Sequence, residues 1–412
     1  MIKIIYILLI GFVYTSNFMP SNDSTLNYNQ VLFKWPQISN IEYYKLYLSS
    51  DLQDSIEVSS LTNSILIDNF LNWGNQYYWN VCGLDSLDEV VYCYEDQSFL
   101  INDLPHYYPD AMELLVLEDG YYDGITILDF DSIGFSAAIN QLGEPVWFVD
   151  KESFGDSVFS SKILVTDLLL SGNFIGMGLG KGYEFDINGN IIFQTPDNYG
   201  VHHHFIKNDS TYFLIDASRE LHPCPDDCPD NLPDNIYWKG DQFIELNSNG
   251  ELIWLWDTFD HIDLLDYNPL YLDRLSNSYP QDDAMDWTHS NSIFYDNNNI
   301  FVSVRNLSRI IKIDYETKDI IWHLGNENFM SQNYFNNNIE FSGQHSVKVL
   351  DDNNILFFDN HSLLEPEISK CIEFSYDEVN DSVNLIWEYT LPDSLFTGSR
   401  GDCDRLNNGN TL

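Results

Sequence analysis

Short apolar runs with every second position polar open the chain and predict strands. The first set is VLFKWP (31–36), YYKLYLSS (43–50), SIEVSS (55–60), SILIDNF (64–70), QYYWNVCGL (76–84) and VVYCYEDQSFL (90–100). Turn residues separate the runs, as in a sandwich of short strands. Trp35, Tyr44, Leu46 and Trp79 fall on the apolar phase and are its expected core. Long runs at the helical period are absent, so the chain reads as all-β.

A Pro-containing segment, NDLPHYYPD (102–110), leads into a second region where one strand-and-turn unit recurs. ITILDF…GFSAAINQLGEPVWFV is one copy, and KILVTDLLLSGNFIGMGLGKGYEFDINGNIIFQT is another. Three more begin at a histidine: His203 in VHHHFI, His289 in WTHSNSIF and His345 in GQHSVKVL. Each continues through an apolar strand and Asp/Asn-rich turns to a strand containing Ile-Trp: LIWLW (252–256), IIWHL (320–324) and LIWEY (385–389). The copies are unequally spaced, with the longest insertion over about 257–286. Four-stranded repeats of roughly 40–50 residues predict a β-propeller. The ending SRGDCDRLNNGNTL has the cadence of the first strand of a further copy. Either the last blade is cut short or the N-terminal part of the propeller closes the ring; we expect the former, with residues 110–412 a six-bladed propeller whose last blade is truncated. The innermost strand of each blade lines the central channel, so His203, His289 and His345 are expected to meet near one mouth of it.

Composition sharpens this picture. Hydrophobic residues make up 44% and aromatic ones 15% of the 412 residues, enough for a large core and too much for disorder. Sixty-four Asp and Glu stand against eighteen Lys and Arg, a net charge of −46. Such a surface repels nucleic acid and anionic membranes, and an anionic substrate would need local cations. Residues 1–16, MIKIIYILLIGFVYTS, read as a secretory signal, and no later run is long enough for a membrane span. Export, periplasmic or beyond, permits disulfides among the six cysteines. Cys82 with Cys93 and Cys224 with Cys228 are local candidates; Cys371 and Cys403 remain.

Three histidines at one position of a repeat suggest reactive side chains brought together rather than scattered structural residues. Imidazole serves as nucleophile, base or proton donor near neutral pH. Three imidazoles can also hold zinc, but no H-E-x-x-H motif accompanies them, and we expect neither metal nor cofactor. Arg305, in IFVSVRNLS, follows His289 by about one hairpin and offers a fork of donors to a tetrahedral oxyanion. Its plain alternative is a surface pair with a carboxylate. Asn291, two residues past His289, faces the same side on a strand and is a candidate substrate-binding donor. By the same alternation His202 and His204 turn away from His203. His261, His323 and His361 read as structural. No Gly-rich phosphate loop, GxSxG elbow or EF-hand loop is present.

DWTHSNSIFYDNNNIFVSVRNLSRIIKIDYETKDIIWHLG resembles the central signature of the bacterial PAPS-independent aryl-sulfate sulfotransferases. GQHSVKVLDDNNILFFDN, VHHHFIKNDSTYFLI and CDRLNNGNTL resemble three further motifs of that family, in the same order. The resemblance implies a six-bladed propeller with an added sandwich. It also implies transfer of a sulfuryl group from a phenolic sulfate to a phenol, through a sulfohistidine. By position it makes His345 the nucleophile, His289 and His203 supporting catalytic residues, Arg305 the catalytic arginine and Asn291 the motif asparagine. His202 competes with His203 in the alignment and is kept as a substrate contact. His204 stands where the family has an acid, and Asn306-Leu307 replace its usual polar pair. The sandwich over 25–103 looks closer to fibronectin type III, with a spacing, docking or homodimer role. The competing readings are an aryl sulfate hydrolase on the same scaffold and a non-catalytic secreted binding or adhesion propeller.

Overall fold

The computed structural model describes residues 18–51, 55–106, 108, 124–130, 135–150, 164–325, 334–351 and 353–412. The signal expected at residues 1–16 lies outside them. The chain divides into two units: residues 1–116 with 124–150, and 117–123 with 151–412. In both, strands dominate the described residues.

The first unit holds β1 (Ser24–Leu26), β2 (Val31–Lys34), β3 (Tyr43–Ser50), β4 (Ile56–Ser60), β5 (Ser64–Ile67), β6 (Gln76–Leu84), β7 (Val90–Cys93) and β8 (Gln97–Ile101). One sheet runs β1-β8-β6-β3-β4, with β7 added to β6, while β2 pairs with β5. The predicted alternation is realised: Tyr44, Leu46 and Leu48 of β3 are buried and their neighbours less so. Both sheets share one core in which Phe33 meets Trp79 edge-on at 5.1 Å. The sheet β11-β10-β9, from β9 (Thr126–Phe130), β10 (Phe135–Ile139) and β11 (Pro145–Val149), belongs to the same unit.

The second unit repeats a four-stranded antiparallel meander. Its sheets are β12 (Leu164–Leu168) to β15 (Ile191–Gln194), with β13 (Phe174–Gly178) and β14 (Lys181–Phe185) between; then β16 (Phe205–Asn208), β17 (Thr211–Pro223), β18 (Asn235–Asn247) and β19 (Leu252–Asp257). The predicted insertion forms α1 (Thr258–His261), α2 (Pro269–Ser278) and β20 (Ala284–Asp286), the last pairing with β18. Asn268 caps α2 by accepting from Leu270 N–H, and Pro269 occupies the first turn, where its missing N–H costs nothing. Two meanders follow: β21 (Ser290–Asp296), β22 (Asn299–Val304), β23 (Arg309–Asp314), β24 (Ile320–Gly325); and β25 (His345–Val349), β26 (Ile355–Asp359), β27 (Lys370–Asp377), β28 (Ser382–Thr390).

Two sequence features of the repeat acquire a cause. In its Asp/Asn-rich turns, side-chain oxygens accept backbone N–H groups: Asp186 from Asn188 and Asn190, Asn247 from Asn249 and Glu251, Asp377 from Val379 and Asn380. The Ile-Trp strands supply ties between sheets. Trp254 Nε1–H donates to Tyr315 O at 2.8 Å, and Trp322 Nε1–H to Glu378 Oε1 at 2.9 Å, each in the next meander's last turn. These indoles are buried, so the bond satisfies a donor that would otherwise be lost from water. All six cysteines pair: Cys82–Cys93, Cys224–Cys228 and Cys371–Cys403. Among the described residues no helix is long and apolar enough to cross a membrane.

Candidate active site

The three repeat histidines stand at equivalent places. His203 precedes β16 by two residues, His289 directly precedes β21, and His345 opens β25. Backbone at these points is left-handed: φ is 59° at His203, 49° at His289 and 56° at Ser346. Non-glycine residues rarely hold this conformation unless their surroundings enforce it, and such positions cluster at functional sites. The consequence is local: strand alternation does not apply at 202–204. His202, expected to face away from His203, instead lies beside it with the two Nδ1 atoms 2.8 Å apart.

The imidazoles converge. The rings of His203 and His289 are 4.6 Å apart, and those of His202 and His203 5.0 Å. His345 is in electrostatic range of His203, His289 and Arg305. It is buried, and its Nδ1 faces Asn360 Oδ1 at 2.6 Å and Gly343 O at 3.1 Å. Two acceptors require a donor between them, so the proton sits on Nδ1 and Nε2 carries the lone pair. That lone pair accepts from Arg400 N–H at 3.2 Å. Burial above all, with the charge of Arg305 adding to it, pushes His345 down to about 4 despite its bond to Asn360. His345 is therefore a neutral imidazole over most of the pH range, with Nε2 as its nucleophilic edge.

The other imidazoles have carboxylate backing. His289 Nδ1 donates to Asp286 Oδ2 at 2.6 Å. Burial raises the Asp286 pKa, but the hydrogen bond and charge of His289, then Lys239 and Asn306, outweigh it and hold the carboxyl below its usual value. His203 is pushed down to about 3, first by burial of its ring and then by His289, His202 and His345. His202 is also lowered, by burial, with Asp241 opposing. Its Nδ1 meets His203, and its Nε2 lies 3.4 Å from Asp241 Oδ1, in ion-pair range but off the line of a hydrogen bond. Both nitrogens of His202 thus turn to protein groups.

Among the described residues Arg305 forms no pair with a carboxylate, the partner open to it in so acidic a chain. Its Nη1 donates to Tyr271 Oη at 3.0 Å and Asn306 Oδ1 at 2.9 Å, and its Nη2 to Gly398 O at 3.3 Å. All three are neutral, so among the described residues the charge is positioned without being neutralised, and of five guanidinium donors two remain for an anion. Asn291 is buried; its Nδ2 donates to Gln344 O at 2.7 Å, bracing the residue before His345, while among the described residues its Oδ1 has no hydrogen-bond partner. His204 is structural, with Nδ1 accepting from Ile293 N–H at 3.1 Å. His361 is buried against Asp359, 2.9 Å away, and His261 stacks on Trp256. Among the described residues no group of three or more His, Cys, Asp or Glu is arranged to hold a metal ion.

Several site residues escaped the sequence reading. Asn360 and Asp286 sat inside quoted motifs, in FFDN and DWTH, where a carboxyl or amide near a histidine was the available signal. Tyr271 comes from the insertion, and Asp241 from the middle of β18, with no local cue. Residues 397–401 form a strap across His345. Asn360 Nδ2 donates to Thr397 O at 2.9 Å and Arg400 O at 2.7 Å, Ser346 Oγ donates to Gly401 O at 3.1 Å, and Ser369 Oγ accepts from Thr397 N–H at 3.0 Å. Gly401 is required there: its φ is 104°, and a Cβ would meet the Phe358 ring.

No curated protein matches the chain. Among solved structures, a Bacteroides caccae protein of unknown function is 11% identical, over 87% of this chain and 96% of its own, with a TM-score of 0.38. Kluyveromyces lactis Hsv2 is 7% identical, over 92% and 100%, with a TM-score of 0.32. The Neurospora crassa Pan2 WD40 domain is 10% identical, over 62% and 60%, also at 0.32. These likenesses are too slight to bear on fold or activity. The family model for arylsulfotransferase (ASST), in contrast, matches residues 94–412, a span that contains every histidine of the site and Arg305. The chain belongs to the arylsulfotransferase (ASST) family.

Proposed function

We propose that this protein is a PAPS-independent aryl sulfotransferase that moves a sulfuryl group from a phenolic sulfate ester to a phenol by way of His345. The observation that carries the reading is the state of His345. It is a buried neutral imidazole with Nδ1–H held by Asn360 and Gly343 and with Nε2 as the lone-pair edge, in electrostatic range of the uncompensated charge of Arg305. Nε2 attacks sulfur, the bond from sulfur to the donor's phenolic oxygen breaks, and the phenoxide leaves with a proton from His289 or His203. An acceptor phenol then attacks the sulfohistidine, the S–N bond breaks, and the acceptor's proton passes to the same base. Arg305 offers its two remaining donors to the sulfuryl oxygens, where charge is spread in the transition state. Attack requires Nε2 to exchange Arg400 N–H for sulfur. The amide then stands beside the bound sulfuryl group.

The four meanders support a propeller around these strands, which we put at six blades. The shared two-sheet core of the first unit supports a fibronectin type III-like module. The disulfides are compatible with export. The test is transfer from 4-nitrophenyl sulfate to phenol, with intact-mass detection of a sulfuryl adduct mapped to the peptide carrying His345. His345→Asn is expected to lose both. Undiminished turnover in that variant, or an adduct on another peptide, sinks the assignment. Nitrophenolate release that does not depend on phenol would make the enzyme a hydrolase instead.

A further inference from the structure

Asp241 is a buried carboxylate in mid-strand β18 that the scheme above does not use. Its Oδ2 accepts Thr288 Oγ1–H at 2.5 Å and Ser290 N–H at 2.6 Å, from the residues flanking His289. Its Oδ1 is left facing Nε2 of His202 at 3.4 Å, a buried nitrogen with no hydrogen bond among the described residues. The other nitrogen of His202 meets Nδ1 of His203 at 2.8 Å. Two nitrogens at that separation must share one proton, so one ring donates and the other accepts.

Which ring donates is decided by Asp241. If His202 kept its proton on Nδ1, its Nε2 lone pair would point at a carboxylate oxygen in a poorly solvated site, which is repulsive. With the proton on Nε2 the same contact is attractive. His202 Nδ1 is then an acceptor, His203 Nδ1–H is the donor, and His203 Nε2 is left as a lone pair. Among the described residues that Nε2 has no hydrogen-bond partner.

We propose that Asp241 is a positioning residue which, through the tautomer of His202, holds His203 as the general base for the acceptor phenol. This rests on the sulfuryl-transfer reading. The acceptor's proton moves to His203 Nε2 as its oxygen bonds sulfur and the S–N bond to His345 breaks. The resulting imidazolium is offset by Asp241 across His202. The other groups facing this pair are Lys239, Asp216 and His289 around His202, and His289, His345 and Asp286 around His203. The carboxylate–imidazole arrangement also separates the roles. His289 has Asp286 directly, His203 has Asp241 through one ring, and the Nδ1 of His345 has the neutral Asn360 and Gly343.

The substitution Asp241→Asn is informative because its orientation is dictated. Thr288 O–H and Ser290 N–H both need an acceptor, so the amide oxygen takes the Oδ2 place and the NH₂ group faces His202. An N–H there demands a lone pair on His202 Nε2, which reverses the tautomers of His202 and His203. Long-range ¹⁵N–¹H spectra of histidine-labelled protein report each tautomer directly. The expected wild-type state is Nε2–H at His202 and Nδ1–H at His203, both reversed in D241N. Wild-type His202 protonated on Nδ1 overturns the inference whether or not the variant folds; so do unchanged tautomers in a folded D241N.

Activity provides the second readout. D241N is expected to keep the first release of 4-nitrophenolate, a leaving group that needs no proton. It should lose about 10²-fold or more in transfer to phenol, with rescue at high pH or by acidic phenols that arrive ionised. Equal loss in both steps, without rescue, indicates a structural role and overturns the proposal. Absence of any nitrophenolate release from the wild type would refute the transferase reading and leave the tautomer measurement standing on its own.

Discussion

His345 and Arg305 are set up by neutral partners in a chain with a net charge of −46, and that is the notable feature at the residue scale. A carboxylate beside His345 would favour its protonation and cost the lone pair; a carboxylate on Arg305 would cancel the field meant for the substrate. Arg305→Ala is expected to lower kcat by about 10²–10³-fold, with Arg305→Lys recovering only part because a point charge lacks the fork. Steady-state kinetics with 4-nitrophenyl sulfate decide this, and a kcat within twofold of wild type for the alanine variant refutes it. Burial of His345 has a stability counterpart. Its folded value of about 4 lies below the ordinary histidine value of roughly 6.5. Above pH 6.5 it is neutral folded or unfolded. As pH falls from 6.5 towards 4 the unfolded chain takes up a proton that the folded one does not, so stability is lost across that window. Thermal unfolding from pH 7 to 4.5 should show a falling Tm, and the fall should be shallower in His345→Asn. Identical slopes would exclude a contribution from this residue.

At the scale of elements, two devices hold the site: the indole ties between meanders and the strap over His345. Trp322→Phe removes the donor to Glu378 and is expected to cost about 1–2 kcal/mol in urea unfolding, with little change in kcat, since the residue lies at the far end of its sheet from the histidines. A large kcat effect with no stability loss would contradict that division. The strap runs into Cys403, whose bond to Cys371 closes a loop of 32 residues. Removing it with paired serines should cost about 3–4 kcal/mol by loop entropy. KM or kcat should also change, because Gly398 O and Arg400 N–H contact Arg305 and His345. Unchanged kinetics in the serine variant would show that the side-chain anchors suffice to hold the strap.

At the scale of the molecule, an excess of carboxylates makes the folded state repel itself, and salt screens that repulsion over a Debye length of about 10 Å at 0.1 M. Tm is therefore expected to rise between 0.01 and 0.5 M NaCl, and a flat or falling Tm would count against net repulsion. Much of the architecture was legible because repeats write their period into the chain. The Asp/Asn turns recur, and in three of the four meanders so do the Ile-Trp strand and a histidine at the start of the first strand, so all-β meanders and the convergence of His203, His289 and His345 followed from pattern alone. Arg305 was legible as a rare cation one hairpin from His289. The rest depended on residues with no local signal. Asp241 is one acid among many until β18 carries it beneath His202, and Tyr271 is an insertion residue until α2 brings it to Arg305. Left-handed backbone at His203 placed His202 beside it, against the alternation that a strand would impose. Periodicity specifies which positions repeat, because each unit must bury the same face. Partners across sheets, tautomers and the neutral cradle of His345 depend on distances between distant segments, and those exist only once the sheets are packed.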